Sequence, residues 1–304
     1  MKKFLFERIL ERYEPDFAVA YGSGVFSQNG YTRDDRPMID FIFGVSDPLQ
    51  WHAKNIAQNP KDYSATTRFL NAKSLAKIQD FGPGLFYNPF VKFENITIKY
   101  GIVSLEKISK DLSEWNTLYI AGRLHKPVLT LKSTAEIEKM RPKNLEHALN
   151  VATMLLPQNF SARDLFMQIT EISYLGDART GIAENSRKVA NIVDKNQNLF
   201  KQLYREAITN ADWLTRIDEE KFTQDLSEKT LIERSSSLPP YIKLNILTKI
   251  PSERIEKLRP AIIKAIKSIT FYPSVVQSAK GILTAGPFNS VRYLAAKLKK
   301  AYRN

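Results

Sequence analysis

The feature that most constrains this chain is a pair of apolar segments close together in sequence. The first, Phe17-Ala18-Val19-Ala20-Tyr21, runs straight into Gly22-Ser23-Gly24; the second, Met38-Ile39-Asp40-Phe41-Ile42-Phe43, is apolar but for one carboxylate. An apolar run that ends in glycines reads as a short buried strand entering a turn. Gly22 and Gly24 permit backbone angles and close approaches that a Cβ forbids. Ser23 puts a hydroxyl and an amide at the mouth of the turn, a geometry suited to phosphate oxygens. Asp40 is costly inside an apolar strand unless something offsets its charge, and a divalent cation is one common partner.

Two readings follow. In the plainer one, Gly22-Ser23-Gly24 is an ordinary turn and Asp40 faces water. In the other, strand, Gly-Ser turn and aspartate-bearing strand form a nucleotidyltransferase site of the polymerase-β type, where magnesium on the aspartate neutralises a triphosphate while an attacking oxygen displaces pyrophosphate. These residues alone leave both open and name no substrate. The polymerase-β pattern usually carries Asp-x-Asp, but positions 38 and 42 are Met and Ile, so Asp40 is the only acid of the motif. Other metal ligands then come from the triphosphate, water or a distant carboxylate, with Asp34, Asp35 and Glu94 as candidates.

The length of 304 residues allows two modest domains, or one with an extension. Cysteine is absent, which excludes disulfides and thiol catalysis. With His52, His125 and His147 the only histidines, oxygen-ligated magnesium is better supported than zinc. No apolar run approaches the ~18 residues of a membrane-spanning helix. Met1 to Glu14 carries acids at helical spacing, unlike a transit peptide, and reads as an amphipathic helix bracing the sheet through Phe4, Leu5, Ile9 and Leu10. The formal charge of +13 is uneven: after Glu256 there are ten basic residues and no acidic one. That asymmetry points to an anionic partner, a nucleic acid or a lipid surface.

Several blocks together carry a resemblance: Tyr21-Gly22-Ser23-Gly24-Val25-Phe26, Ile39-Asp40-Phe41, Asp47-Pro48-x-x-Trp51-His52-x-Lys54-Asn55, Tyr87-Asn88, Ile98-Lys99-Tyr100-Gly101, Trp115-Asn116 through Arg123 and Lys126 to Val128, and Lys280-Gly281-Ile282-x-Thr284-Ala285-Gly286. They resemble the mitochondrial phosphatidate cytidylyltransferases, the translocator assembly and maintenance protein family. The resemblance implies an α+β chain with a polymerase-β-type nucleotidyltransferase domain at 1–153, a helical winged-helix-like domain at 154–240 and a basic C-terminal region at 241–304. It implies transfer of CMP from CTP to phosphatidic acid, giving CDP-diacylglycerol and pyrophosphate for cardiolipin and phosphatidylglycerol synthesis. Mg2+ is the implied cofactor, and the implied place is the matrix side of the mitochondrial inner membrane, peripherally bound. An RNA or tRNA nucleotidyltransferase and a non-catalytic translocase maintenance factor are the alternatives. Nucleic acid is not the expected partner, because the charge lies in an amphipathic tail rather than among stacking aromatics.

Within that frame Asp40 holds the metal and, with Ser23, is catalytic. The nucleotide contacts expected are Tyr21, Gly22, Ser23, Gly24, Lys73, Lys99, Tyr119, Gly122, Arg123 and Lys126. Lys99 interrupts an apolar strand: it either points to solvent from a sheet edge or, as the family implies, meets triphosphate in the cleft. Asp177 and Arg179 either reach the site from the second domain or form a structural pair. Trp51, His52 and His125 read as structural. Thr66-Thr67 opens an expected helix to about Asp80, with Phe69, Leu70, Leu75 and Ile78 inward. Ser133 to Lys143 reads as a charged link, and Ser161 with Asp164 as a capping box. Residues 155–238 read as successive short helices. In the last segment Lys280 to Gly286 reads as a loop, and Asn289 to Arg303 as a basic amphipathic helix lying on a membrane. Lys280, Arg292, Lys297, Lys299, Lys300 and Arg303 are the expected lipid contacts.

Overall fold

The computed structural model describes residues 2–26, 37–179, 187–247 and 257–285. Its elements, in chain order, are α1 (Lys2–Tyr13), β1 (Phe17–Tyr21), β2 (Ile39–Val45), α2 (Pro48–Gln58), α3 (Ala72–Asp80), β3 (Phe86–Phe93), β4 (Ile96–Ser104) and α4 (Leu105–Glu114). Then come α5 (Ala121–Leu124), β5 (Leu129–Lys132), α6 (Ala135–Leu155), β6 (Asn159–Ser161), α7 (Ala162–Ile172), α8 (Lys188–Val193), α9 (Gln197–Leu203) and α10 (Arg205–Thr209). The last are β7 (Leu214–Arg216), β8 (Lys221–Gln224), α11 (Glu228–Ser236), α12 (Pro240–Leu247) and α13 (Leu258–Ala285). The mixed content bears out the α+β class. Two compact units emerge, each discontinuous in sequence rather than a consecutive block. One comprises Met1–Ser109, Val128–Glu138 and Val275–Asn304; the other comprises Lys110–Pro127 and Lys139–Ser274.

The first unit is built on a five-stranded sheet ordered β3-β4-β2-β1-β5. β1 and β2 are antiparallel, with Tyr21 opposite Asp40, whereas β2 and β4 are parallel, with Asp40 opposite Lys99. One face carries Ala18, Ala20, Phe41, Phe43, Ile98, Tyr100 and Ile102, and packs on Phe6, Ile9 and Tyr13 of α1 and Trp51 of α2. Trp51 is therefore core, and its indole N–H donates to the Tyr13 carbonyl at 2.8 Å. Phe4, expected to brace the sheet, is exposed on the outer face of α1. Asp47 caps α2 by accepting from the Gln50 amide, with Pro48 at the first helical position.

Further expectations for this unit are corrected. The helix expected from Thr66 begins only at Ala72, because Asn71 takes the N-cap and accepts from the Ser74 amide. Phe69 then falls in a turn before it and is exposed, while Leu70, Leu75 and Ile78 pack with Tyr63 and Phe86 as expected. Residues 280–285 are the last turns of α13, not a loop, and Lys280 is buried instead of facing a membrane. Its ammonium donates to the carbonyls of Gln79, Phe81 and Leu85 at 3.1, 2.8 and 2.7 Å, so it ties α13 to the segment after α3. Arg292, Lys297, Lys299, Lys300 and Arg303 lie outside the described residues.

In the second unit α7 begins at the expected capping box, with Ser161 and Asp164 bonding reciprocally. The segment expected to be only helical also holds a three-stranded antiparallel sheet, β6-β8-β7. These strands are three or four residues long, too short for alternation to register in the sequence. The expected link at 133–143 is instead the start of α6, which runs through Pro142.

All three histidines are buried. His52 sits between the Tyr63 hydroxyl at 3.0 Å and Gln79 at 2.9 Å, partners that a neutral ring satisfies. Burial pushes the His52 ring down to about 4 and, with the Lys126 charge added, His125 down to about 3. Unfolded histidines titrate near 6.5, so below that pH the unfolded chain takes up protons that the native chain refuses. Stability is therefore expected to fall as pH drops from about 6.5, by about 2 kcal/mol per buried histidine at about pH 5. Urea unfolding midpoints compared between about pH 7.5 and about pH 5 test this; a midpoint that does not move would refute it.

Candidate active site

The site face of the first sheet is the one opposite the core. The alternation that buries Phe41 and Phe43 turns Asp40 to the other side, and strand pairing sets Tyr21 and Lys99 beside it. Lys99 Nζ lies 3.8 Å from Asp40 Oδ1, each side chain about a quarter exposed (26% and 25%). The same ammonium sits 4.2 Å from the centre of the Tyr87 ring, and the Tyr87 hydroxyl is 3.3 Å from that of Tyr21. Because β4 is an interior strand, Lys99 does not project from a sheet edge; it faces the carboxylate.

The Gly22 turn closes over this face. Gly22 has φ +79°, and a Cβ there would stand 3.0 Å from Asp40 Oδ2. Only glycine lets the backbone come so near the carboxylate without strain. The Gly22 carbonyl accepts from the amides of Val25 and Phe26, which folds Ser23 and Gly24 into a tight bend. Gly24 in turn lies against the Met38 carbonyl and Ile39, locking the bend to the start of β2.

Among the described residues no three His, Asp or Glu side chains converge as a metal cage. Glu94 is engaged by Arg8 at the β3–β4 hairpin, and Asp34 and Asp35 lie outside the described residues. The donor set is one partly exposed carboxylate beside a glycine bend. That fits Mg2+, which is commonly held by one or two carboxylates with water and substrate phosphates supplying the rest.

The second unit holds a different arrangement, organised by a residue the sequence reading did not single out. The buried Asp111 carboxylate accepts from the amides of Thr117, Leu118, Ile120 and Ala121 and from the Thr117 hydroxyl, at 2.8–2.9 Å. These bonds fix a loop in which Trp115 and Leu118 adopt left-handed backbone angles, φ +57° and +55°. Trp115 is fully buried, donating to Asn144 at 2.9 Å beside the His125 ring, so it is core. His125 is structural likewise.

The loop delivers Tyr119, Arg123 and Lys126 to a pocket also lined by Ser173, Tyr174, Asp177 and Arg179. Lys126 is buried; it donates to the Ser173 hydroxyl at 2.7 Å and to the Gly122 carbonyl, and lies 5.2 Å from the Tyr174 ring. Burial, reinforced by the charges of Arg123 and Lys188, pushes its ammonium well down. Lys188 stands 4.8 Å from the same Tyr174 ring. Asp177 and Arg179 form a bidentate pair, with Nε and Nη2 at 2.9 and 2.6 Å from the two carboxylate oxygens. Burial raises the Asp177 carboxyl, but the bonds and charge of Arg179 outweigh it and leave the group below its usual value. Among the described residues the pocket thus brings Arg123 and Lys126 beside the Asp177–Arg179 pair.

The nucleotide contacts named from sequence therefore separate. Tyr21, Gly22, Ser23, Gly24, Asp40 and Lys99 come together in the first unit; Tyr119, Arg123, Lys126, Asp177 and Arg179 come together in the second. Gly122 is not a contact surface: it is buried, and a Cβ there would meet Ser173 Cβ at 2.5 Å, so its role is close packing. Lys73 is exposed on α3, a helix that packs on α2 and β3. Tyr87, Asp111 and Lys188 were missed, though Tyr87 and the Gly101 that makes room for its ring both lie in blocks carrying the resemblance.

Asp111→Asn removes half of the acceptor set and is expected to destabilise the fold by about 3 kcal/mol, read as a lower urea midpoint. Gly22→Ala forces a strained angle against Asp40; it is expected to cost about 1–2 kcal/mol and to reduce turnover more than stability.

The family model described as mitochondrial phosphatidate cytidylyltransferase matches residues 6–300. The mitochondrial phosphatidate cytidylyltransferase of Schizosaccharomyces pombe is 37% identical, over 94% of this chain and 80% of its own length. That of Xenopus laevis is 37% identical over 99% of this chain and 95% of its own, and that of Saccharomyces cerevisiae 33% over 94% and 67%. The chain belongs to the mitochondrial phosphatidate cytidylyltransferase family.

Proposed function

We propose that this chain transfers CMP from CTP to the phosphate of phosphatidate, yielding CDP-diacylglycerol and pyrophosphate. The observation that supports this best is Asp40 beside Lys99 under the Gly22-Ser23-Gly24 bend, in a member of this family. A phosphatidate oxygen attacks the α-phosphorus of CTP, and the bond to the β-phosphate oxygen breaks as pyrophosphate leaves. The nucleophile is already an anion, so the step needs neither a general base nor a covalent enzyme intermediate. The Ser23 hydroxyl and the amides of the bend bind triphosphate oxygens, and Lys99 adds a point charge. Asp40 would hold Mg2+, which when bound supplies neutralisation of phosphate charge. In the second unit Arg123 is suited to a bidentate phosphate contact, and Tyr119 and Lys126 line the same pocket.

We read the second unit, with its capped helix, short helices and small antiparallel sheet, as winged-helix-like. The basic stretch 289–303 is proposed to hold the enzyme on an anionic membrane, on the matrix side of the inner mitochondrial membrane, where the product feeds cardiolipin synthesis. Among the described residues no helix is long and apolar enough to cross a membrane.

The decisive test incubates the protein with labelled CTP, magnesium and phosphatidate vesicles and extracts the lipid. Label is expected in CDP-diacylglycerol, with Asp40→Asn reducing turnover by at least about a thousandfold while its thermal unfolding stays near that of the parent. Near-normal turnover in that variant would refute the assignment of Asp40.

A further inference from the structure

In the first unit the segment between α2 and β3 packs along the last turns of α13 and presents apolar side chains outward. Phe69 is 86% exposed, Phe81 64% and Ile282 62%, with Leu283 also exposed beside Ile282. These groups do not sit on a loose flap. The Thr66 hydroxyl donates to the Leu283 carbonyl at 2.6 Å, Lys280 donates to the Phe81 carbonyl, and Gly82 lies against Val276 so closely that a Cβ would stand 2.8 Å from it. The backbone beneath the rim is thus fixed to α13 from both sides, while the aromatic and aliphatic side chains point away.

Apart from Asp80, the charges carried by this segment after Asp62 are basic. Between Asp62 and Asp80 every charged residue is basic, namely Arg68, Lys73 and Lys77, and all three are exposed. Asp80 itself is paired with Lys107 at 2.6 Å. α13 contributes no acid, and none follows it in sequence. Exposed apolar groups ringed by cations match the chemistry of an anionic lipid surface, where the apolar groups enter the headgroup boundary and the ammonium groups meet phosphates. A second copy of this chain would set the same cations against one another.

We infer that the rim of Phe69, Phe81, Ile282 and Leu283, with Arg68, Lys73 and Lys77 around it, is a docking surface that seats the first unit on a phosphatidate-containing bilayer. The proposal draws on none of the residues 289–303, and it rests on the reading of phosphatidate as the acceptor. It gives Lys73 a lipid phosphate as its partner instead of the nucleotide.

The absence of cysteine makes the test direct, because a single introduced cysteine in the full chain labels uniquely. Phe69→Cys and Ile282→Cys carry an environment-sensitive nitrobenzoxadiazole label, with Lys229→Cys on α11 as the control. Vesicles of phosphatidylcholine with phosphatidate are expected to blue-shift the labels at 69 and 282 and expose them to bilayer-embedded nitroxide quenchers, leaving 229 unchanged. Phe69→Glu combined with Ile282→Glu is expected to cut turnover of long-chain phosphatidate in vesicles by at least about tenfold. Turnover of a short-chain, monomeric phosphatidate should be unchanged. Labels that stay in water while the protein is vesicle-bound would overturn the inference. So would labels that shift with protein concentration in the absence of lipid, which would mean a second copy. Equal loss on both substrates would mean a structural role only. If the parent turns over neither phosphatidate, the reaction assigned to the chain fails, whereas a docking failure leaves turnover of both acceptors equal to the parent's.

Discussion

The parallel pairing of β2 with β4 is the constraint on which the first site depends. It places Asp40 beside Lys99, and the antiparallel pairing of β2 with β1 adds Tyr21 and the glycine bend. Side chains alternate along a strand, so a slip of one residue would send Asp40 and Lys99 into the core and Phe41 and Tyr100 to the site. The aromatic face prevents that slip. Phe43 stacks on Tyr100 at 5.6 Å and Tyr13 packs on both, while the Tyr100 hydroxyl bonds to buried Asp62 at 2.9 Å. The position of the Asp40 carboxylate is in this sense a consequence of core packing one residue away on either side.

A carboxylate also governs the second unit, by a different route. Asp111 does no chemistry of its own; it collects donors from a loop that would otherwise leave several amides buried without partners. Those bonds offset two left-handed residues, each costing about 1–2 kcal/mol, and the loop so held carries Arg123 and Lys126. Lys126 is then kept in a place unfavourable to its charge, under Tyr174 and near Arg123 and Lys188. Only Lys126 of the three is buried, and burial together with its cationic neighbours lowers its hold on its proton.

What was legible in the sequence had a local physical signature. The strand–turn–strand at 17–43, the amphipathic first helix and the Ser161 capping box each depend on neighbours a few residues apart. The features that were not legible depend on distant partners. Asp111 looks like any surface acid of an amphipathic helix until the loop ending at Ala121 folds back over it. Lys280 looks like one more tail cation until Gln79, Phe81 and Leu85 surround it. Phe69 has the spacing of a core residue, and only the capture of the N-cap by Asn71 leaves it outside the helix. Gly122 shows the same limit, since the glycine next to an arginine read as a phosphate contact and proves to be where Ser173 packs.

The lone acid of the motif also has a physical sense on the proposed reaction. Both reactants are phosphate anions, and each added carboxylate would repel them while binding the metal. In the first unit Asp40 is balanced by Lys99; in the second Asp177 is balanced by Arg179, with Arg123, Lys126 and Lys188 nearby. Cations thus match or outnumber carboxylates in each place. Replacing Ile42 by an acid would restore the usual pair of the polymerase-β pattern. It would also set a charge opposite Val19 and beside Gly101, in a stretch of sheet that is buried. There the carboxylate would carry the full desolvation cost of a buried charge. On that proposed reaction a metal arriving with the triphosphate would need only one protein carboxylate to fix it, and Asp40 is the one partly exposed position in a strand otherwise buried.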